Sequence, residues 1–265
     1  MKSKLRIGVI GGGNMGSAII SGIRKKHSVC VCEKDASRRI FLKRTYRVEV
    51  TDLGTLMKRS KVIILAVKPQ DFDITLHEMR PYMTRRHLVI SIAAGITTKF
   101  IERQLGKVRV VRTMPNLPVK SHKGMTGIAK GKYAAHSDLR TASAIFKNVG
   151  EVLIVSSEDK LDAITAVSGS GPAYYFYFTE ALMDSARKLG LSEEEALVAV
   201  NATLAGSSAL LSDETGEDAA SLRKKVTSKG GTTEAALKVL DLKDFRNIIA
   251  DALRAAKKRA KELSK

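Results

Sequence analysis

LRIGVIGGGNMGSAIISGIRK, residues 5–25, decides how the fold is read. Residues 5–10 are a short apolar run that predicts a strand, and from residue 15 to residue 25 the apolar positions take helical spacing. Between them Gly11, Gly13 and Gly16 stand at the offsets of the G-x-G-x-x-G pattern, with Gly12, Asn14 and Met15 in the open positions. Gly11 permits the tight turn, Gly13 lets the backbone approach a pyrophosphate with no side chain in the way, and Gly16 lets the helix pack close to the strand. The helix N-terminus then offers amide donors and a positive dipole end to phosphates.

Working outward, a second strand over residues 29–32 ends at Glu33, about twenty residues beyond the loop, where a carboxylate accepts from an adenosine ribose 2′-hydroxyl. That position favours NAD over NADP, although Lys34, Arg38 and Arg39 follow at once and bring charge suited to a 2′-phosphate. The expectation is that NADH serves at least as well as NADPH. Further strands are predicted over residues 62–67, 88–92, 108–112, 126–129 and 151–155, separated by helical stretches, which gives a parallel sheet with right-handed crossovers. Ligands bind beyond the carboxyl ends of such strands, so Ala66, Val67, Lys68 and Pro69 after one strand, and Ala93, Ala94 and Gly95 after the next, are candidate cofactor contacts.

Beyond Ser157 the strand runs give way to Ala-rich amphipathic segments; Phe245, Ile248, Ile249, Ala252, Leu253 and Ala256 share one helix face. The domain boundary is placed near residues 156–160, giving a dinucleotide-binding domain over 1–156 and a helical domain over 157–265. The apolar stripes exceed what a lone bundle of this size buries neatly, which points to a helical dimerisation domain, with a satisfied monomer core as the competing reading. Ser168-Gly169-Ser170-Gly171-Pro172 interrupts a helical pattern, and Pro172 suits the first turn of a new helix. Gly230-Gly231-Thr232-Thr233 reads as a loop opening a helix, where free amides would bind a carboxylate. An ordinary helix start capped by Thr232 or Thr233 fits the same residues.

The bulk composition sets limits. With 44% hydrophobic residues, 5% aromatic and no Trp, the core must rest on Ile, Leu, Val and Ala. Cys30 and Cys32 give no disulfide framework, no apolar run approaches the roughly 18 residues of a bilayer span, and no metal-ligand cluster stands out. The chain is expected to be soluble and cytoplasmic, with no membrane partner. A net charge of +19, from 46 Lys and Arg against 27 Asp and Glu, raises the question of nucleic acid. The cations are spread along the chain without a helix-turn-helix, zinc-finger or RNA-binding signature, so a basic solvated surface is expected instead.

Several segments together resemble the pyrroline-5-carboxylate reductase family. They are the glycine loop, AVKPQ from Ala66, SIAAG from Ser91, RTMPNLP from Arg112, AVSGSGPAY from Ala166 and LRKKVTSKGGTTEAALKVLD from Leu222. The resemblance implies an N-terminal Rossmann-type, doubly wound, mostly parallel sheet and an all-α domain that dimerises, with larger rings of dimers in some members. It implies reduction of 1-pyrroline-5-carboxylate to proline by hydride from NADH or NADPH. The implied cofactor contacts fall on the glycine loop, Ala66, Lys68 and Ala94, with Asn116 of RTMPNLP counted among them; the implied substrate contacts are Ser228, Gly230, Gly231, Thr232 and Thr233. Lys229 departs from the family's usual proline and Leu53 from a common asparagine near the adenine.

Hydride reaches an imine carbon readily only when the nitrogen is protonated. No histidine or carboxylate stands out as the acid, so either solution supplies an iminium or the Thr233 hydroxyl steadies the nitrogen. Two other functions compete. A dehydrogenase of the hydroxyacid or 6-phosphogluconate type would offer a catalytic lysine after the domain junction, where this chain has residues 168–174 with no lysine. A non-catalytic dinucleotide sensor that binds nucleic acid would leave the 228–233 loop without a use.

Overall fold

The computed structural model describes residues 4–212 and 216–264. The chain alternates strand and helix through β1 (Arg6–Ile10), α1 (Asn14–Ile23), β2 (Ser28–Cys32), α2 (Ala36–Tyr46), β3 (Glu49–Val50), α3 (Leu53–Arg59), β4 (Val62–Leu65) and α4 (Phe72–Met79). It continues through β5 (Leu88–Ser91), α5 (Thr98–Leu105), β6 (Arg109–Pro115), β7 (Gly124–Lys130), α6 (His136–Phe146) and β8 (Gly150–Ile154). Helices then take over: α7 (Glu158–Ile164), a π-helical turn over Thr165–Gly169, α8 (Gly171–Lys188), α9 (Glu193–Ser212), α10 (Ala219–Lys225), α11 (Thr232–Leu242) and α12 (Phe245–Glu262).

The strands form one sheet in the order β3-β2-β1-β4-β5-β6-β7-β8. Neighbours pair in parallel except β6 with β7, which are antiparallel. The order reverses between β1 and β4, and the carboxyl ends of these two strands open a crevice there, the usual ligand position in open α/β sheets. Continuous apolar runs arise because both sheet faces are covered. In β4, Val62 and Ile64 join one core with α1, α2 and α6, while Ile63 and Leu65 join the other with α3, α4 and α5. Each such side chain stabilises the fold by roughly 1.5–3 kcal/mol when fully buried.

The strand at Glu49–Val50 escaped prediction because two residues carry no period, and β6 runs on to Pro115, past the expected stop at Arg112. The chain forms one compact unit through Pro172, which also includes the residues from Ala255 on, and a second over Ala173–Arg254. Within the first unit, α7 is pinned to the sheet by a buried cation. Arg112 is 2% exposed, and its guanidinium donates to Glu158 Oε1 at 3.2 Å and to Asp162 Oδ1 at 3.1 Å. Glu158 in turn accepts from the Thr98 amide and hydroxyl at the start of α5.

The second unit has little core of its own. No residue of α10, α11 or α12 is buried, and α8 exposes Tyr175, Phe176, Tyr177 and Phe178. By length and composition α9 is apolar enough to cross a membrane. Asn201, Thr203, Gly206, Ser207 and Ser208 interrupt its apolar residues, so no continuous apolar run extends along it.

His87 is buried between β5 and α3. Its Nδ1 lies 3.0 Å from the Thr84 amide and its Nε2 3.0 Å from the Met57 carbonyl oxygen, so the neutral ring accepts at one nitrogen and donates at the other. Burial pushes its pKa down, with Arg86 and Arg109 adding to the effect against the Met57 bond. Burial likewise lowers that of His27, helped by Lys26. A lowered folded-state value means that the unfolded chain binds the proton more readily, so this stability is full above the ordinary histidine pKa and is lost as pH falls below it. We expect Tm to drop between pH 7 and pH 5, with a shallower slope for His87→Gln, measured by calorimetry; equal slopes would remove His87 as the cause.

Candidate active site

The site begins where β1 turns into α1. Gly11 has φ +98° and its missing Cβ would fall 2.7 Å from the Ala66 carbonyl oxygen, so two requirements fix glycine there. A Cβ on Gly16 would overlap the Gly11 carbonyl, whereas one on Gly13 would meet nothing within 4 Å. The loop is therefore tight behind and open in front, at the side where a pyrophosphate would lie. α1 starts on Gly13 with no side-chain cap, and its first internal bond runs from the Ser17 amide to the Gly13 carbonyl at 2.8 Å. The amides of Asn14, Met15 and Gly16 precede that bond and have no partner within the helix. By contrast Asp35, Asp52, Thr97 and Ser157 close α2, α3, α5 and α7 with side-chain caps.

A crevice of about 410 Å³ opens in front of this turn, lined by Gly11, Gly13, Glu33, Lys34, Ala66, Val67 and Lys68 among others. The structure thus brings these predicted residues together, while Gly12, Gly16 and Met15 shape the turn behind them. Glu33 accepts from the Gly12 amide at 2.5 Å through Oε2 and from the Asp35 amide at 2.9 Å through Oε1. These bonds fix a carboxylate at the mouth of the crevice, with lone pairs left for a hydroxyl donor. Leu53 and Arg38 also line it, and Arg38 donates to Asn14 Oδ1 at 2.8 Å. Arg39 instead turns to the carbonyls of Glu33 and Lys34, and Lys34 pairs with Asp71. Cys32 faces the same crevice; burial and the carboxylates of Asp52 and Glu33 push its thiol up, away from nucleophilic chemistry.

Pro69 opens a short 3-10 turn directly after Lys68. One strand further along, Ala93, Ala94 and Gly95 leave β5 outside the lining of this crevice, on the same carboxyl edge of the sheet. Gly95 has φ +73° and its Cβ would overlap the Leu263 carbonyl. Asn116, beyond β6, has its side chain turned to Ser168 and Met125 rather than to open space. Sequence reading missed that anchor and the Arg112 cluster, because the partners are 52, 46 and 50 residues apart and no local pattern announces them.

In the second unit, α11 starts on Gly231, again with no side-chain cap; neither Thr232 nor Thr233 is the cap, because both already lie inside the helix. The Gly231 amide donates to the Ser228 carbonyl at 3.0 Å, closing a turn in which Gly230 has φ +75°. The first helical bond runs from Ala235 to Gly231, so the amides of Thr232 and Thr233 have no intrahelical partner. Glu234 reaches back to accept from the Gly230 amide at 2.7 Å. Among the described residues no group of histidines, cysteines or carboxylates is arranged to hold a metal.

Comparison with known proteins agrees with this geometry. A family model described as pyrroline-5-carboxylate reductase dimerisation matches residues 158–263, and one described as NADP oxidoreductase coenzyme F420-dependent matches residues 6–95. The pyrroline-5-carboxylate reductase of Mycobacterium tuberculosis is 36% identical, over 97% of this chain and 96% of its own. A solved pyrroline-5-carboxylate reductase from Coxiella burnetii has 39% identity and a TM-score of 0.93, covering 99% of this chain and 100% of that one. The Plasmodium falciparum pyrroline carboxylate reductase, solved with NADP bound, has 27% identity and a TM-score of 0.84, covering 98% of each chain.

The contrast between Gly13 and Gly16 gives a test. Gly13→Ala should fold with unchanged Tm, since its Cβ meets open space, yet raise KM for the dinucleotide by about tenfold. Gly16→Ala should lose stability as well. Unchanged cofactor KM in folded Gly13→Ala would show that nothing approaches that backbone.

Proposed function

The chain belongs to the pyrroline-5-carboxylate reductase family, and from that premise we propose that it reduces 1-pyrroline-5-carboxylate to L-proline with hydride from NAD(P)H. The observation that carries the reading is the uncapped start of α1 behind an open glycine loop, with the Glu33 carboxylate at the mouth of the same crevice. When bound, the nicotinamide supplies a hydride that forms the new C–H bond at the imine carbon, while the C=N π pair passes to the nitrogen, which keeps the proton it carried.

The protein's own tasks are to bind, orient and steady. The Asn14 and Met15 amides hold the pyrophosphate, Glu33 accepts from the adenosine ribose, and Ala66, Lys68 and Ala94 border the cofactor. The amides of Thr232 and Thr233 take the substrate carboxylate as they would a phosphate. The Thr233 hydroxyl hydrogen-bonds the ring nitrogen and favours its protonated form. Orientation of this kind contributes on the order of several kcal/mol to the barrier reduction.

The fixed Glu33 carboxylate, beside Lys34 already paired with Asp71, supports use of NADH at least as well as NADPH. Exposure of the α8 aromatics supports a homodimer, and assembly into a ring of dimers is compatible with it. Covering an aromatic side chain removes roughly 150–250 Å² from water, at about 25 cal/mol per Å². Free Cys30 and Cys32 support a cytoplasmic enzyme, and residues 228–233 give a use that a nucleic-acid-binding sensor would lack.

The direct test follows nicotinamide absorbance with pyrroline-5-carboxylate and each cofactor. Turnover is expected, with kcat/KM for NADH at least equal to that for NADPH; a preference for NADPH of more than about tenfold, or 1.4 kcal/mol, would reverse the role given to Glu33. Thr233→Val should lower kcat/KM by about tenfold or more. Unchanged kinetics in that variant would remove the hydroxyl from the mechanism.

A further inference from the structure

Asn116 follows the last residue of β6 in extended backbone, φ −117° and ψ 172°, and caps nothing. Its side chain instead ties three segments together. Nδ2 donates to the carbonyl oxygen and to the hydroxyl oxygen of Ser168, each at 3.2 Å, while Oδ1 accepts from the Met125 amide at 2.8 Å. Both ends of the amide are thus occupied by the chain itself, and its bond to Ser168 reaches the middle of the π-helical turn Thr165–Gly169.

That turn is a departure from regular helix. The Ser170 amide reaches back to the Thr165 carbonyl at 2.8 Å, an i to i−5 bond, and such widened turns are uncommon and recur at functional sites. It sits against β6 closely enough that a Cβ on Gly169 would come 2.7 Å from the Met114 methyl. β6 runs parallel to β5 with Arg112 opposite Ser91, and Thr113 donates to the Ser91 carbonyl at 3.1 Å. The chain leaving β6 toward Asn116 and the chain leaving β5 toward Gly95 therefore depart side by side from one edge of the sheet. The Arg112, Glu158 and Thr98 cluster ties α7, which leads into the π turn, to the helix that follows Gly95.

We propose that Asn116 is a positioning residue for hydride transfer, acting through Ser168 to hold the π turn as a wall beside the Ala93–Gly95 loop. The proposal rests on the reading that this edge receives the nicotinamide half of a dinucleotide. Asn116 fixes where the ring stands and leaves the adenine half, held by the glycine loop and Glu33, untouched. Reacting atoms must meet at about 3–3.5 Å, so a displaced wall lowers kcat while affinity for the dinucleotide stays.

Asn116→Asp tests this, because it keeps the shape and the acceptor for Met125 but loses the Nδ2 donor facing the Ser168 carbonyl. In the full-length enzyme it should lower kcat by about tenfold and raise the primary isotope effect with 4-deuterated NADH, with NADH Kd by fluorescence and Tm close to wild type. Ser168→Ala, which loses the hydroxyl and keeps the carbonyl bond, should retain most of kcat. Asn116→Ala, which removes both the Nδ2 donor and the acceptor for Met125 at a part-buried position that water can enter, should repeat the kcat loss, so it decides the matter should Asn116→Asp misfold. Wild-type kcat in folded Asn116→Asp overturns the proposal, as does wild-type kcat in folded Asn116→Ala. A loss of NADH binding in step with kcat also overturns it, by making Asn116 a direct cofactor contact. Failure of the site reading itself is a separate result, visible as a wild-type enzyme that neither binds NADH nor turns over.

Discussion

Amides at the start of a helix have no partner inside it, and in this protein the start of α1 is left open where most of its neighbours are closed. Among the described residues, α2, α3, α5, α7, α9 and α10 receive a side-chain cap, whereas α1 and α11 begin on glycines that cannot supply one. An anion satisfies such amides and is favoured by the helix dipole. The rest of the first unit serves that opening. Parallel strands bring the carboxyl ends of β1 and β4 together, glycines clear the approach, and Glu33, held by the Gly12 amide, stands at the mouth of the crevice.

Much of this was legible in residues 5–25, because the requirements of a strand, a tight turn and a helix start are local and each glycine there answers one of them. The β-α alternation was legible for the same reason, since runs such as that of β4 must be apolar on both faces. Chain ends of elements were less so: β3 has too few residues to show a period, and β6 continues through Thr113, Met114 and Pro115, where no apolar run marks it. The placement of α7 was hidden altogether. Its position depends on one buried arginine that satisfies two carboxylates far along the chain, and leaving any of the three unpaired would be costly.

The candidate site divides the same way. Gly11, Gly13, Glu33, Ala66 and Lys68 were placed by motif and by strand ends, and they line one crevice. The family resemblance counts Asn116 among cofactor contacts, yet its amide is engaged by Ser168 and Met125, a pairing that only three-dimensional structure exposes. The apolar stripes of α8 to α12 were visible as pattern, and the lack of buried residues in α10, α11 and α12 gives that pattern a physical meaning: these helices have surface to bury against something outside their own unit.

Everything proposed for this protein requires the open start of α1 to be the phosphate site of a dinucleotide. A crystal structure of the enzyme grown with NADH and proline addresses it most directly. Pyrophosphate oxygens are expected within hydrogen-bond distance of the Asn14 and Met15 amides, and the amino-acid carboxylate on those of Thr232 and Thr233. Pyrophosphate density away from the glycine loop, with those amides facing only water, would contradict it.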